Sequence, residues 1–188
     1  MSEMVVKTKE KKLSVQQIAV IGVMTAVTCV LAPFSLPIGS VPISLTNLAI
    51  YFALYALGMK KGSISYLVYL LIGLVGLPVF SGFTSGPGKL FGPTGGYLIG
   101  FIPMAVIAGV VIDRYIDKKL VCLLGMIAGT AVCYALGTAW LAYQAGMGFQ
   151  AALMAGVIPF IPGDLLKMVL AMLFGPQIRK SLVKANMF

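Results

Sequence analysis

Polar and charged residues along the chain fall into short clusters that separate long apolar runs. A bilayer core of roughly 30 Å is crossed by about 20 mostly apolar residues. Runs of that kind cover residues 14–32, 43–59, 62–80, 93–112 and 120–143. A further apolar stretch, 151–174, is interrupted by Pro159, Pro162 and Gly163. Proline suits the first helical position and disrupts helix interiors. The pattern therefore predicts a short outer segment near 149–157, then a new helix beginning near Pro162 and running past Pro176 toward Lys184. From Gly163 to Lys184 that helix reaches about 33 Å at 1.5 Å per residue, whereas one ending at Phe174 is too short to span.

The expected fold is an all-α integral membrane protein. It has six transmembrane helices in a single domain over residues 1–188, with 1–13 as a basic cytoplasmic segment. Composition agrees: 60% of the 188 residues are hydrophobic and 10% charged, with a mean hydropathy of +1.01, whereas a soluble domain carries about 25% charge. Of 14 Lys and Arg residues, 12 sit in four clusters: Lys7, Lys9, Lys11 and Lys12; Lys60 and Lys61; Arg114, Lys118 and Lys119; and Arg179, Lys180 and Lys184. Six alternating spans bring all four to one side, which the positive-inside rule makes the cytoplasm, with both termini there. The opposite loops carry Lys89. The net charge of +9 then reads as orientation and lipid contact, with no nucleic-acid partner required. The first span is followed by further spans and lacks a small-residue cleavage pattern, unlike a signal peptide.

The chain contains no histidine, which excludes a serine triad, a histidine-ligated zinc site and imidazole-held haem. Cys29, Cys122 and Cys133 form neither a disulfide framework nor a CxxC pair. The segment GPGKL within 86–90 is a poor phosphate loop, because Phe83 and Leu90 stand where its glycine and hydroxyl belong. An intramembrane enzyme has one catalytic candidate, Lys167 beside Asp164. The expectation is a non-enzyme without metal or cofactor.

Setting the four clusters aside leaves Lys89 and Lys167, and among the acids Asp164, since Glu3, Glu10, Asp113 and Asp117 fall on the cytoplasmic side. Asp164 and Lys167 are three residues apart on one face of an apolar helix. A charge at mid-bilayer costs roughly 2.5 to 3.5 kcal/mol on insertion scales. The pair is a polar clamp for a ligand, an ion pair that pins the helix, or both. Residues 81–92 form a glycine-rich outer loop that either admits close backbone approach to a ligand or connects flexibly. The first outer loop, with Pro33, Pro37 and Pro42, is an apolar lid or a plain connector. Phe80, Phe91, Tyr97, Trp140 and Tyr143 make an interfacial belt or, turned inward, a pocket wall. Small residues recur every four positions at Gly92, Gly96 and Gly100, at Gly125 and Gly129, and at Gly22 and Ala26. Such faces permit close helix contact, and the Gly22/Ala26 pair is the candidate for docking another subunit.

GLPVF at 76–80, GPTGGYL at 92–98 and PGDLLK at 162–167, in that order across six spans, resemble the BioY family of biotin substrate-binding subunits of energy-coupling factor (ECF) transporters. The resemblance extends from Val41 to Lys167. It implies an S-component-like bundle in a bacterial plasma membrane that captures biotin as transported ligand and docks on a transmembrane coupling subunit and two ATPases. It places the site in the outer half, under the first and third external loops. Carried over by motif are Gly92, Gly95, Gly96 and Tyr97, with Asp164 and Lys167; Phe80, Phe91 and Tyr143 are candidate pocket aromatics. Related subunits often carry an alanine-based docking pattern on the first helix, where this chain has Gly22 and Ala26. The rival reading is an autonomous secondary transporter or facilitator, with Asp164 as its membrane carboxylate. A lone acid and the lack of an internal repeat are a thin basis for it.

Overall fold

A computed structural model describes residues 14–37 and 41–185. The expected basic segment 1–13 lies outside the described residues. The described chain forms helices α1 (Val15–Leu31), α2 (Thr46–Val75), α3 (Pro87–Leu90), α4 (Gly95–Tyr115), α5 (Lys119–Ala145), α6 (Phe149–Gly156) and α7 (Ile161–Lys184). A small ribbon pairs β1 (Ser35–Leu36) antiparallel with β2 (Ile43–Ser44). The described parts of the loop expected to be external are thus paired as a ribbon over 35–36 and 43–44.

Helix α1 starts where the sequence carries its cap. The Ser14 hydroxyl accepts the Gln17 amide at 3.2 Å and the Gln17 side chain accepts the Ser14 amide at 3.3 Å, a reciprocal box that satisfies two otherwise unpaired donors.

Helix α2 is two antiparallel arms, 46–57 and 59–75. Gly58 breaks it at φ +77° and ψ 173°, a region essentially reserved for glycine. A Cβ at Gly62 would stand 3.1 Å from the Ala53 carbonyl oxygen and the Leu54 Cα, so the second arm packs back on the first. Asp113 of α4 stabilises the fold-back: its carboxylate accepts the Met59 amide at 2.7 Å and the Arg179 guanidinium at 3.0 Å. The arms match the apolar runs 43–59 and 62–80 with one correction. The second arm stops at Gly76, which takes φ +116°, before Leu77-Pro78, so GLPVF is a return loop. Phe80 turns under the arm it was expected to extend, edge-on to Tyr69 at 5.7 Å, while the Tyr69 hydroxyl donates to the Val79 carbonyl at 3.1 Å.

Small residues set the α4–α5 contact. A Cβ at Gly100 would meet the Cys133 carbonyl at 3.1 Å, and one at Gly129 the Met104 carbonyl at 2.9 Å, so the backbones approach as the four-residue spacing requires. The chain end divides as the prolines imply, with α6 closing at Gly156 and α7 restarting with Pro162 in its first turn. Four tyrosines, Tyr51, Tyr55, Tyr66 and Tyr69, fill the core. Tyr51 pairs with the Thr130 hydroxyl at 2.5 Å and Tyr66 donates to the Leu98 carbonyl at 2.8 Å. Helices α4, α5 and α7 are each long and apolar enough to cross a membrane, and α1 is apolar but shorter. Val15, Val75, Leu120 and Leu124 are among many large apolar side chains left exposed, an amount that an aqueous surface would not tolerate.

Candidate functional site

The ribbon, the loop around Ser81, the start of α4, the middle of α5 and the start of α7 converge on one cleft. Its polar centre is built by α7. Asp164 lies in the first turn, where the helix dipole favours an anion, and Lys167 follows on the same face. The ammonium lies 2.9 Å from the Asp164 Oδ1, and both residues are buried, at 7% and 8% exposure. Lys167 Nζ also donates to the Ser44 carbonyl at 2.6 Å. The second oxygen of Asp164 accepts the Tyr134 hydroxyl from α5 at 2.5 Å. A four-member chain, Tyr134 to Asp164 to Lys167 to Ser44, thus ties α5, α7 and the ribbon together.

The charges cancel inside this chain while hydrogen-bonding capacity remains. An ammonium has three donors and a carboxylate about four acceptor positions. Lys167 spends two donors and Asp164 two acceptor positions on the contacts above. Tyr97, Leu98, Phe101 and Phe160 supply apolar and aromatic walls, with Thr94 and Asn47 as further polar groups. This suits a small, mainly apolar ligand bearing both N–H donors and an acceptor.

Of the residues singled out in the sequence, Asp164, Lys167 and Tyr97 line the cleft. Gly92, Gly95 and Gly96 do not; they seat the start of α4. The Gly92 carbonyl accepts the Trp140 indole at 2.9 Å, and a Cβ at Gly95 or Gly96 would overlap the Leu90 carbonyl or the Trp140 side chain. Phe80 is fully buried beneath Tyr69, away from the lining. Phe91 and Tyr143 are 62% and 84% exposed, and neither reaches the cleft. Gly22 and Ala26 lie on the exposed face of α1. Lys89 is half-buried in the 81–92 loop, and burial lowers its pKa from the usual lysine value. Sequence reasoning missed Tyr134, the Ser44 carbonyl and Thr94. For Tyr134 the available signal was a polar-tipped residue inside an apolar run. Among the described residues no group of three His, Cys, Asp or Glu side chains is placed to hold a metal.

The model of the BioY family matches residues 6–184. The chain is 36% identical over 165 residues to the biotin transporter BioY of Thermotoga maritima, covering 88% of this chain and 96% of that one. It is 32% identical over 171 residues to the biotin transporter BioY2 of Lactococcus lactis, covering 91% and 94%. Among solved structures, it superposes with a TM-score of 0.81 and 30% identity on the crystal structure of an S-component for biotin from an ECF-type ABC transporter, over 88% of this chain and 92% of that chain.

Proposed function

The chain belongs to the BioY family, and on that premise we propose that it is the biotin-capturing membrane subunit of an ECF-type transporter, taking biotin from outside and catalysing no reaction itself. In this reading the chain is one domain of six membrane segments, α1, the two arms of α2, α4, α5 and α7, of which the first arm of α2 (46–57) reaches about 18 Å and stops short of the full bilayer core. Both termini are cytoplasmic, in a bacterial plasma membrane, and a transmembrane coupling subunit with two ATPases drives release. The four basic clusters support that orientation.

The observation that carries the ligand assignment is the buried Asp164–Lys167 pair opening on an aromatic cleft. Biotin's cyclic urea presents two N–H donors to a carboxylate, and its urea or tail oxygens can accept from an ammonium. Its fused rings fit against Tyr97 and Phe101. The cleft encloses about 60 Å³, well below the roughly 300–1,000 Å³ of small-molecule sites. In this reading, holding biotin involves widening the cleft, and the ribbon contact on Lys167 is the part that gives way.

The test is biotin binding by the purified chain and by Asp164→Asn and Lys167→Met. Each substitution is expected to weaken binding by roughly tenfold or more, the value of a lost hydrogen bond to a charged group. Wild-type affinity in both folded variants would overturn the site. Sealed vesicles holding the chain alone with ATP are expected to show no uphill biotin uptake, and robust uptake would overturn the dependence on partners.

A further inference from the structure

Tyr134 faces two spaces. With Asp164 it lines the outward cleft, and again with Asp164 it lines a groove between α5 and α7 walled by Ile127, Ala131, Leu165 and Met168. Ile127 and Leu165 are 38% and 42% exposed, on the apolar surface that a bilayer covers. Among the described residues, Tyr134 and Asp164 are the two that both spaces share, so they form the partition between the ligand side and the lipid side.

A carboxylate in such a partition is costly unless its oxygens find donors. Lys167 takes Oδ1 at 2.9 Å and Tyr134 takes Oδ2 at 2.5 Å, from different helices. Two fixed donors on separate oxygens set the plane of the group, and its remaining lone pairs are available to the cleft. Without the phenol, Oδ2 would lie beside the apolar groove unsatisfied, and the carboxylate would be free to turn.

We propose that Tyr134 is a positioning residue that determines specificity: its hydroxyl holds Asp164 as an oriented acceptor for the N–H donors of the ligand, and its ring closes the cleft against the groove. This rests on the reading that Asp164 meets the urea of biotin. Tyr134→Phe keeps the ring and removes only the hydroxyl. The purified full chain, Tyr134→Phe and Asp164→Asn are each titrated with biotin and with an analogue methylated on one urea nitrogen. The expected result is that Tyr134→Phe binds biotin roughly tenfold more weakly and loses most of the wild-type preference for biotin over the methylated analogue, approaching Asp164→Asn. A structural role alone would weaken both ligands in parallel and leave the preference intact. That result, or unchanged binding, would overturn the role of Tyr134 while weakened binding by Asp164→Asn left the site reading standing. Wild-type binding by Asp164→Asn would overturn both.

Discussion

Lys167 of α7 donates to the backbone carbonyl of Ser44 in the β1–β2 ribbon at 2.6 Å, so a residue of the helix bundle holds that ribbon in place. Because that lysine also pairs with Asp164, a ligand that engages it competes with the ribbon for the same ammonium. Lys167→Met is therefore expected to release the ribbon as well as weaken biotin binding. Hydrogen exchange at the Leu45 amide, which bonds the Phe34 carbonyl at 3.3 Å, should quicken in the variant. Unchanged exchange there would show that the ribbon is held by its own pairing.

Gly137 and Gly156 are the positions against which Tyr97 is seated. A Cβ at Gly137 would overlap the Tyr97 ring, and one at Gly156 would overlap its hydroxyl. Either methyl displaces the ring, which lines the cleft. Gly137→Ala is expected to weaken biotin binding about tenfold, for a steric cost of roughly 1–3 kcal/mol. Titration calorimetry of the purified variant checks this, and unaltered affinity would mean that the ring has room elsewhere.

Phe91 and Tyr143 are expected to be dispensable for capture. Their rings are 62% and 84% exposed near the C-terminal ends of α3 and α5, which the proposed orientation puts at the interface, where an aromatic belt needs them. Alanine at both positions should leave biotin affinity within about twofold, as expected for surface changes of roughly 0.5 kcal/mol or less. A larger loss would place one of them over the bound ligand.

These results divide by the kind of information each feature needs. Helix α7 was legible because Pro159, Pro162 and Gly163 interrupt an apolar run, and a local interruption is a local signal. The fold-back at Gly58 was legible as a gap between runs beside Lys60 and Lys61, but not its fastening, since Asp113 comes from another helix 54 positions away. Tyr134 meets Asp164 across 30 positions, and the Ser44 contact uses a backbone oxygen that every residue possesses. The Ser44 contact leaves no mark in hydropathy or spacing, and Tyr134 shows only as a polar-tipped residue within an apolar run, with nothing to name its partner. The misplaced end of the third run has the same origin: Val79 and Phe80 are apolar because they pack under the helix, Leu77 extends the apolar run although it is exposed, and only Gly76 and Pro78 mark the turn.

Gly58→Ala tests the fastening at the opposite end from the cleft. The glycine holds φ +77°, and a Cβ there would lie 3.0 Å from both Asp113 oxygens, so backbone strain and crowding add. Strain in this region costs roughly 1–3 kcal/mol. A lower thermal midpoint in detergent is expected, with biotin affinity preserved in the fraction that remains folded. An unshifted midpoint would mean that Asp113 gives way freely.

The outward face of α1 separates docking from capture. Its inward face is committed to the bundle: Val20, Ile21, Met24, Thr25 and Thr28 are buried, and the Thr25 hydroxyl meets that of Ser65 at 3.0 Å. The opposite face carries Gly22 and Ala26 between Ile18, Val23 and Val30, which are 56%, 60% and 62% exposed. Among the described residues a Cβ at Gly22 meets nothing within 4 Å, so their packing does not require that glycine. Small residues on an exposed membrane helix let a second helix come close. Gly22→Leu should therefore leave the thermal midpoint and biotin affinity unchanged while lowering copurification with the coupling subunit and ATPases, and with it uphill uptake by the assembled transporter. The two measurements pull apart only if this face serves a partner. Loss of biotin binding would instead assign Gly22 to the internal fold, and full copurification would move the docking surface off α1.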